Sequence, residues 1–117
     1  MHTQVFAALA KWSRSSLSAE RTPINRVVSL VSAHNNVAPA MVFSPLRCRR
    51  GVARTRQLAM YLSHVIMGES LTAIGMAFGR DRTTVSYACA LIEDLRDDPH
   101  FDAEVTDLEM RLQAGEA

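Results

Sequence analysis

Residues 70–88, SLTAIGMAFGRDRTTVSYA, decide the fold of this chain, because they predict two helices joined by a tight turn. Ser70 suits the N-cap of the first helix. The apolar residues of that helix fall on one side at helical spacing: Leu71, Ile74 and Phe78. Gly79 suits the left-handed residue that ends a helix, and Asp81 can cap the second helix. Two consecutive helices with so short a connection are typical of a helix-turn-helix.

The second of these helices has an apolar side and a polar side. Its apolar residues predict a buried stripe: Val85, Ala88, Cys89, Ile92 and Leu95. The residues that would then face away from the core are Arg82, Thr83, Ser86 and Tyr87. A helix N-terminus attracts phosphate, threonine can contact a thymine methyl group or a phosphate, and arginine can read guanine in the major groove. This helix therefore has the side chains of a DNA recognition helix, although a capped helix start with a solvated arginine fits the local pattern as well.

The rest of the chain also predicts helices, so we expect an all-α fold, a compact bundle of about five to six helices. The further helices are expected from Pro23 to about Asn36, around Pro39 to Phe43, from about Val52 to Met67, and through the stripe Phe101, Val105, Leu108 and Leu112. Thr22 suits the N-cap of the first of them. Pro45 should open a loop through Gly51, and Gly68 should end the following helix. No stretch alternates apolar and polar residues as a strand would.

Two regions are expected along the chain. Residues 1–21 predict a short N-terminal helix and a linker, and residues 22–117 predict the helix-turn-helix domain. The apolar residues of the N-terminal helix share one face: Val5, Phe6, Leu9 and Trp12. This face would either pack on the domain's own core or, if exposed, bind a protein partner or a second copy of the chain. A protein-interaction module on the same helical scaffold is thus the alternative to DNA binding.

The arginines are concentrated in the middle of the chain. Between residues 45 and 82, seven arginines stand against Glu69 and Asp81, whereas residues 93–117 hold nine acids against Arg96 and Arg111. The near-neutral net charge of +1 therefore hides a basic segment. A basic segment beside a predicted recognition helix favours nucleic acid as the partner, although a solvated basic loop is the plainer alternative.

Other classes of protein fit the sequence poorly. No apolar run approaches the roughly 18 residues of a membrane span, and the N-terminus lacks the cationic lead of a secretory signal, so we expect a cytoplasmic protein. The two cysteines do not suggest a disulfide framework: Cys89 is expected as a buried free thiol and Cys48 as a solvent-facing residue. The histidines lack metal-ligand spacing and no catalytic grouping shares a predicted surface, so we expect no enzyme activity, metal or cofactor.

Two motifs resemble the C-terminal DNA-binding domain of the bacterial replication initiator DnaA. The first is GVARTRQLAMYL at residues 51–62, where the family has Arg-x-Arg-Gln-x-Ala-Met. The second lies in residues 70–88, where the family has Ile-Gly-x-x-Phe-Gly-Arg-Asp-His-Thr-Thr-Val. The resemblance covers roughly residues 23–114. It implies a protein that binds DnaA-box-like sites in double-stranded DNA, as a transcriptional regulator or a modulator of replication initiation.

The resemblance assigns candidate DNA contacts to the recognition helix. Asp81, Arg82, Thr83 and Thr84 would face the major groove, with Thr83 at the base edges and Thr84 near a phosphate or a thymine methyl group. Arg80 and Tyr87 are the other candidate DNA contacts of this region.

Further candidates lie in the preceding helix and in the loop before it. Arg56 and Gln57 would clamp the DNA backbone, and His64 would lie near a phosphate; Arg54 belongs to the same basic cluster. The resemblance also implies a loop arginine in the minor groove. The candidates for this role are Arg47, by alignment from Ser44, and Arg49 or Arg50, since alignment from Val52 places Cys48 at the position.

The chain departs from the family pattern at three points. Arg82 stands where the family has histidine, which puts the usual base preference in doubt, because arginine prefers guanine or phosphate. Thr55 replaces a proline near a helix start, where we expect no consequence. Residues 1–117 contain no Gly-x-x-x-x-Gly-Lys-Ser/Thr loop, and Lys11 is their sole lysine, so we expect no nucleotide binding and a stand-alone DNA-binding protein.

Overall fold

The computed structural model of the protein describes residues 22–44 and 50–115. Over these residues it contains six helices and no strand, which confirms the predicted all-α fold. The helices are α1 (Pro23–Asn35), α2 (Pro39–Phe43), α3 (Arg50–Val65), α4 (Leu71–Phe78), α5 (Arg82–Leu95) and α6 (Pro99–Gln113). The predicted N-terminal apolar helix and linker lie outside the described residues, as do Arg47, Cys48 and Arg49.

Helix α3 is the centre of the bundle. It packs against α1 and α5 and also contacts α2 and α4, while α4 packs on α5 and α6 contacts α1. The largest fully buried side chains include three neighbours on α3, Met60, Tyr61 and Leu62, and Phe78 at the end of α4. Each such side chain stabilises the fold by about 1.5–3 kcal/mol through burial. The core thus holds the helix-turn-helix, α4 and α5, in a fixed position on α3.

Four predicted helix ends are confirmed. The Thr22 hydroxyl accepts a hydrogen bond from the Asn25 N–H at 3.2 Å, and the Ser70 hydroxyl accepts one from the Ala73 N–H at 3.0 Å. Both satisfy backbone donors that a helix start leaves unpaired. Gly68 and Gly79 have φ values of +72° and +65°, the left-handed conformation expected of residues that end helices.

The turn between α4 and α5 follows from the local sequence. After Gly79 the Arg80 N–H donates to the Gly75 carbonyl at 2.8 Å, which closes a Schellman motif at the end of α4. Asp81 is extended and begins α5, but its side chain accepts no capping hydrogen bond. The predicted position of Asp81 is therefore confirmed, whereas capping by its side chain is wrong.

The predicted apolar stripes are largely buried. On α5, Val85, Ala88 and Ile92 are buried, while Cys89 and Leu95 are only partly buried. Cys89 is a free thiol as expected, but it is partly buried rather than buried, and this burial raises the pKa of the thiol. On α6 the buried residues are Val105, Leu108 and Leu112, and Phe101 is partly buried.

Helix α3 begins earlier than the sequence indicated. It starts at Arg50 rather than near Val52, so Gly51 is helical instead of ending a loop. Thr55 helps to hold this first turn, because its buried hydroxyl donates to the Gly51 carbonyl at 2.8 Å. The same hydroxyl accepts from the Asn35 side-chain amide at 2.9 Å and joins α3 to the end of α1. Thr55 is therefore a structural residue, not an inconsequential replacement.

An ion-pair network centred on Arg96 joins the end of α5 to α3 and α6. The guanidinium donates to Asp102 at 2.6 Å, to both Glu109 oxygens at 3.0 and 3.2 Å, and to the Tyr61 hydroxyl at 3.1 Å. The Glu109 carboxylate raises the pKa of Arg96 further above its usual range. Burial, together with a hydrogen bond to Glu93, raises the pKa of Tyr61 to about 12. This network fixes one end of α5 while leaving its N-terminal end for other contacts.

The helices of residues 22–44 and 50–115 are too short or too polar for a bilayer: not one of them meets the requirements of a membrane span.

Candidate nucleic-acid interface

The first two turns of α5 present a polar surface to solvent. Arg82, Thr83, Thr84 and Ser86 are exposed, and Tyr87 is 70% exposed. Val85, between them in sequence, is completely buried and anchors this end of the helix in the core. The predicted division of α5 into a buried side and an outward side is thus confirmed.

The N-terminal end of α5 keeps its polar groups available. Asp81 leaves the backbone donors of the first turn without a side-chain cap. The side chains of Asp81 and Arg82 form no hydrogen bond or ion pair with another described residue. Free N–H groups at a helix start attract phosphate, and an unpaired guanidinium can reach a base edge or a phosphate.

Two shallow clefts border this end of α5. One has a volume of about 190 Å³ and lies between α4 and α5, where it is lined by Leu71, Arg82, Thr83 and Ser86. The other has a volume of about 120 Å³ and lies where α3, α5 and the turn before α5 meet; it is lined by Ala53, Arg56, Gln57, Met60, Arg80, Thr84, Tyr87 and Ala88. The structure therefore brings together five residues that the sequence assigned to DNA binding, namely Arg56, Gln57, Arg80, Thr84 and Tyr87.

Arg56 is buried among backbone carbonyls beside this cleft. Only 8% of this residue is exposed. Its Nε donates to the Val42 carbonyl at 2.7 Å, and one Nη donates to the carbonyls of Met41 and Ser44, each at 3.1 Å. A guanidinium held in this way by backbone carbonyls supports the fold, and the expected clamp on the DNA backbone stays a prediction.

Arg80 is held in a similar way. One of its Nη atoms donates to the Phe78 carbonyl at 2.9 Å, and the other donates to the Ser44 carbonyl at 3.2 Å. Arg56 and Arg80 thus share one acceptor at the end of α2. No sequence pattern signals either contact, because every residue has the same main-chain carbonyl.

The remaining candidate residues lie either on α3 or in segment 45–49, which the structure does not describe. Arg50 is exposed, Arg54 is partly exposed, and neither side chain forms a hydrogen bond or ion pair with another described residue. His64 is exposed near the other end of α3, with its Nδ1 2.8 Å from the Glu69 carbonyl, so the ring is fixed in orientation by a donated N–H. Arg47 and Arg49 remain predictions, since segment 45–49 is not described.

Basic and acidic residues are separated along α5. Arg80 and Arg82 flank Asp81 at its start and leave a net charge of +1 there, whereas Asp94, Asp97 and Asp98 are exposed at or beyond its end. A helix of this length places its two ends about 20 Å apart, which is beyond the Debye length at physiological salt. The acids therefore weaken the positive potential at the start of α5 only slightly.

Comparison with known proteins identifies the family. The family described as "Bacterial dnaA protein helix-turn-helix" matches residues 24–92, which include α1 to α4 and most of α5. Chromosomal replication initiator protein DnaA from Acinetobacter baumannii strain ATCC 17978 is 37% identical over 100 residues, which are 84% of this chain and 21% of that protein. The same protein from A. baumannii strains AYE and SDF has the same identity and coverage.

The matched region coincides with the part of the fold that carries the candidate interface. The chain spans about a fifth of the length of these relatives. More than half of the chain fits the family description, and its two motifs stand on α3 and on the helix-turn-helix of α4 and α5. The chain belongs to the bacterial DnaA helix-turn-helix family.

Proposed function

We propose that this chain binds double-stranded DNA at DnaA-box-like sites, with the first two turns of α5 in the major groove. It acts as a transcriptional regulator or as a modulator of replication initiation in the bacterial cytoplasm, and it carries out no reaction and uses no cofactor or nucleotide. The observation that carries the proposal is the start of α5, where Arg82 and Thr83 are exposed and the first turn lacks a side-chain cap. A recognition helix contacts bases through residues in this position.

The clefts beside α5 support a division of roles among the candidates. Thr83 and Arg82 border the cleft on the α4 side and are the base-contacting residues of the proposal. Thr84, Gln57 and Tyr87 border the cleft on the α3 side, where hydroxyl and amide groups suit phosphate and sugar contacts. Arg50, Arg54 and His64 extend the polar surface along α3 toward the DNA backbone. This arrangement matches a helix-turn-helix whose neighbouring helix borders the groove.

Arg82 is proposed to change the base preference relative to other family members. Its guanidinium has no partner among the described residues and can donate two hydrogen bonds to guanine O6 and N7. A histidine at this position could not form this bidentate pair. The preferred DNA site should therefore resemble a DnaA box, with a G·C pair at the position that Arg82 contacts.

The salt dependence of binding tests the proposal. If about five phosphates are neutralised, log affinity for a duplex with a DnaA box should fall with log salt at a slope of about −4 to −5. The measurement is a fluorescence-anisotropy titration at several salt concentrations, with a scrambled duplex of the same composition alongside. Weaker binding to the scrambled duplex is expected at every salt concentration.

Two substitutions that each remove one positive charge test which surface of the protein binds DNA. Arg54→Gln should reduce the magnitude of the slope by about 0.9, because it removes one phosphate contact. Arg111→Gln on α6 removes the same charge away from α5 and should leave the slope unchanged. A flat salt response of the unmodified chain, or equal affinity for both duplexes, would overturn the proposed function.

A further inference from the structure

The carbonyl groups at the end of α2 receive few hydrogen bonds from the helix itself, where the Ser44 N–H donates to the Met41 carbonyl at 3.3 Å. Five residues form this helix, and a helix end leaves its final carbonyls without intrahelical partners. Here the carbonyls of Met41, Val42 and Ser44 accept hydrogen bonds from Arg56. A cation at a helix C-terminus also interacts favourably with the helix dipole. Arg56 therefore supplies the hydrogen-bond donors that a further turn of α2 would have supplied.

Arg80 attaches the same helix end to the helix-turn-helix. It connects the Ser44 carbonyl to the Phe78 carbonyl at the end of α4. Beside it, the rings of Phe43 and Phe78 stack with their centroids 5.0 Å apart. The end of α2, the end of α4 and the middle of α3 are thus joined by two guanidinium groups and one aromatic pair.

These bonds occupy at least three of the five N–H donors of Arg56 and two of the five of Arg80. A guanidinium that contacts a phosphate well presents two parallel N–H groups to it. In Arg56 the Nε and one Nη already donate to carbonyls, and in Arg80 both Nη atoms do so. Both side chains nevertheless line the α3–α5 cleft, beside Gln57 and Thr84. They are placed to set the shape of that surface.

We propose that Arg56 and Arg80 are positioning residues for DNA binding, which hold α2 and the turn before α5 in the arrangement that fits the duplex. This inference rests on the proposed function and assigns these two arginines a role other than neutralising phosphate. The fork geometry of each guanidinium is the required property, and the positive charge alone does not replace it.

Replacing Arg80 by a charged and by a neutral residue distinguishes a positioning role from the neutralisation of a phosphate. Arg80→Lys keeps the charge but cannot donate to two separated carbonyls as a planar fork does. We expect Arg80→Lys and Arg80→Gln to weaken binding to the DnaA-box duplex by a similar factor, about fivefold to tenfold. The salt slope of both variants should equal that of the unmodified chain, because no phosphate contact is lost. Arg54→Gln, with its reduced slope, is the matched control.

A folding measurement accompanies each titration. Circular dichroism at the titration temperature gives the folded fraction of each variant, and a positioning role requires a loss of affinity larger than the unfolded fraction explains. Arg56→Lys is the second variant and should behave as Arg80→Lys does. If Arg80→Lys binds as the unmodified chain does while Arg80→Gln lowers the slope by about 0.9, Arg80 contacts phosphate and the inference is wrong.

Two other outcomes would also decide whether the two arginines are positioning residues and whether the proposed function holds. A loss of affinity fully accounted for by unfolding would reduce both arginines to structural residues and also overturn the inference. Failure of the proposed function would be visible separately, in the unmodified chain, as binding that is independent of salt and sequence.

Discussion

Replacing Arg96 by methionine is expected to lower the free energy of unfolding by about 2–3 kcal/mol. Methionine retains much of the apolar length of arginine but donates no hydrogen bonds, so Asp102 and Glu109 would lose their cation. The Glu109 side chain is only 17% exposed, and water cannot fully replace the missing guanidinium. The Tyr61 hydroxyl would also lose a donor. Urea denaturation followed by circular dichroism measures the change.

Arg111 provides the control for that experiment. It lies on the same helix as Glu109, and its Nη1 is 3.9 Å from Asp107 in an exposed i, i+4 pair. Such pairs contribute only about 0.3–0.5 kcal/mol, so Arg111→Met should change the unfolding free energy little. Equal losses for the two variants would show that the Arg96 network has no special stabilising role.

Replacing Gly75 by alanine is expected to destabilise the helix-turn-helix by about 1–3 kcal/mol. A Cβ atom on Gly75 would lie 2.5 Å from the Arg80 carbonyl oxygen, closer than such atoms ever approach. The obstacle is backbone, so the turn between α4 and α5 would have to move. Because that turn carries Arg80 and Asp81, the variant should also bind the DnaA-box duplex less tightly. Thermal unfolding and the anisotropy titration check both effects.

Gly51 is the matched control for Gly75. It lies in the first turn of α3, and no atom of residues 22–44 or 50–115 comes within 4 Å of the position that a Cβ atom would take there. Gly51→Ala should therefore be neutral or stabilise the protein by up to about 1 kcal/mol, since alanine favours the helix more than glycine does. If Gly75→Ala were as well tolerated as Gly51→Ala, the close approach at the turn would not be a constraint on the fold.

The local features of the fold were predictable because they depend on neighbouring residues. Thr22 and Ser70 cap helices through backbone donors three residues away, and Gly79 adopts the conformation that the following turn requires. The stripe through Val85 and Ile92 follows from helical spacing alone. The same spacing placed Thr83 and Arg82 on the outward side of α5.

The features that could not be predicted join residues distant in sequence through common groups. Arg56 and Arg80 look like phosphate-binding residues in the sequence, yet both donate to the Ser44 carbonyl, 12 and 36 positions away. Arg96 interacts with α3 and α6 through a geometry that charge patterning does not reveal. Asp81 has the residue type and position of a cap but leaves the capping hydrogen bond unmade. In each case the tertiary arrangement, not the local sequence, chose the partner.

Selection of bound duplexes from a random pool by the 117-residue chain tests the central claim most directly. We predict that one consensus emerges, that it resembles a DnaA box, and that Arg82→His changes the preferred base pair at a single position by removing a preference for guanine. A pool that remains random after repeated selection would contradict sequence-specific DNA binding by α5.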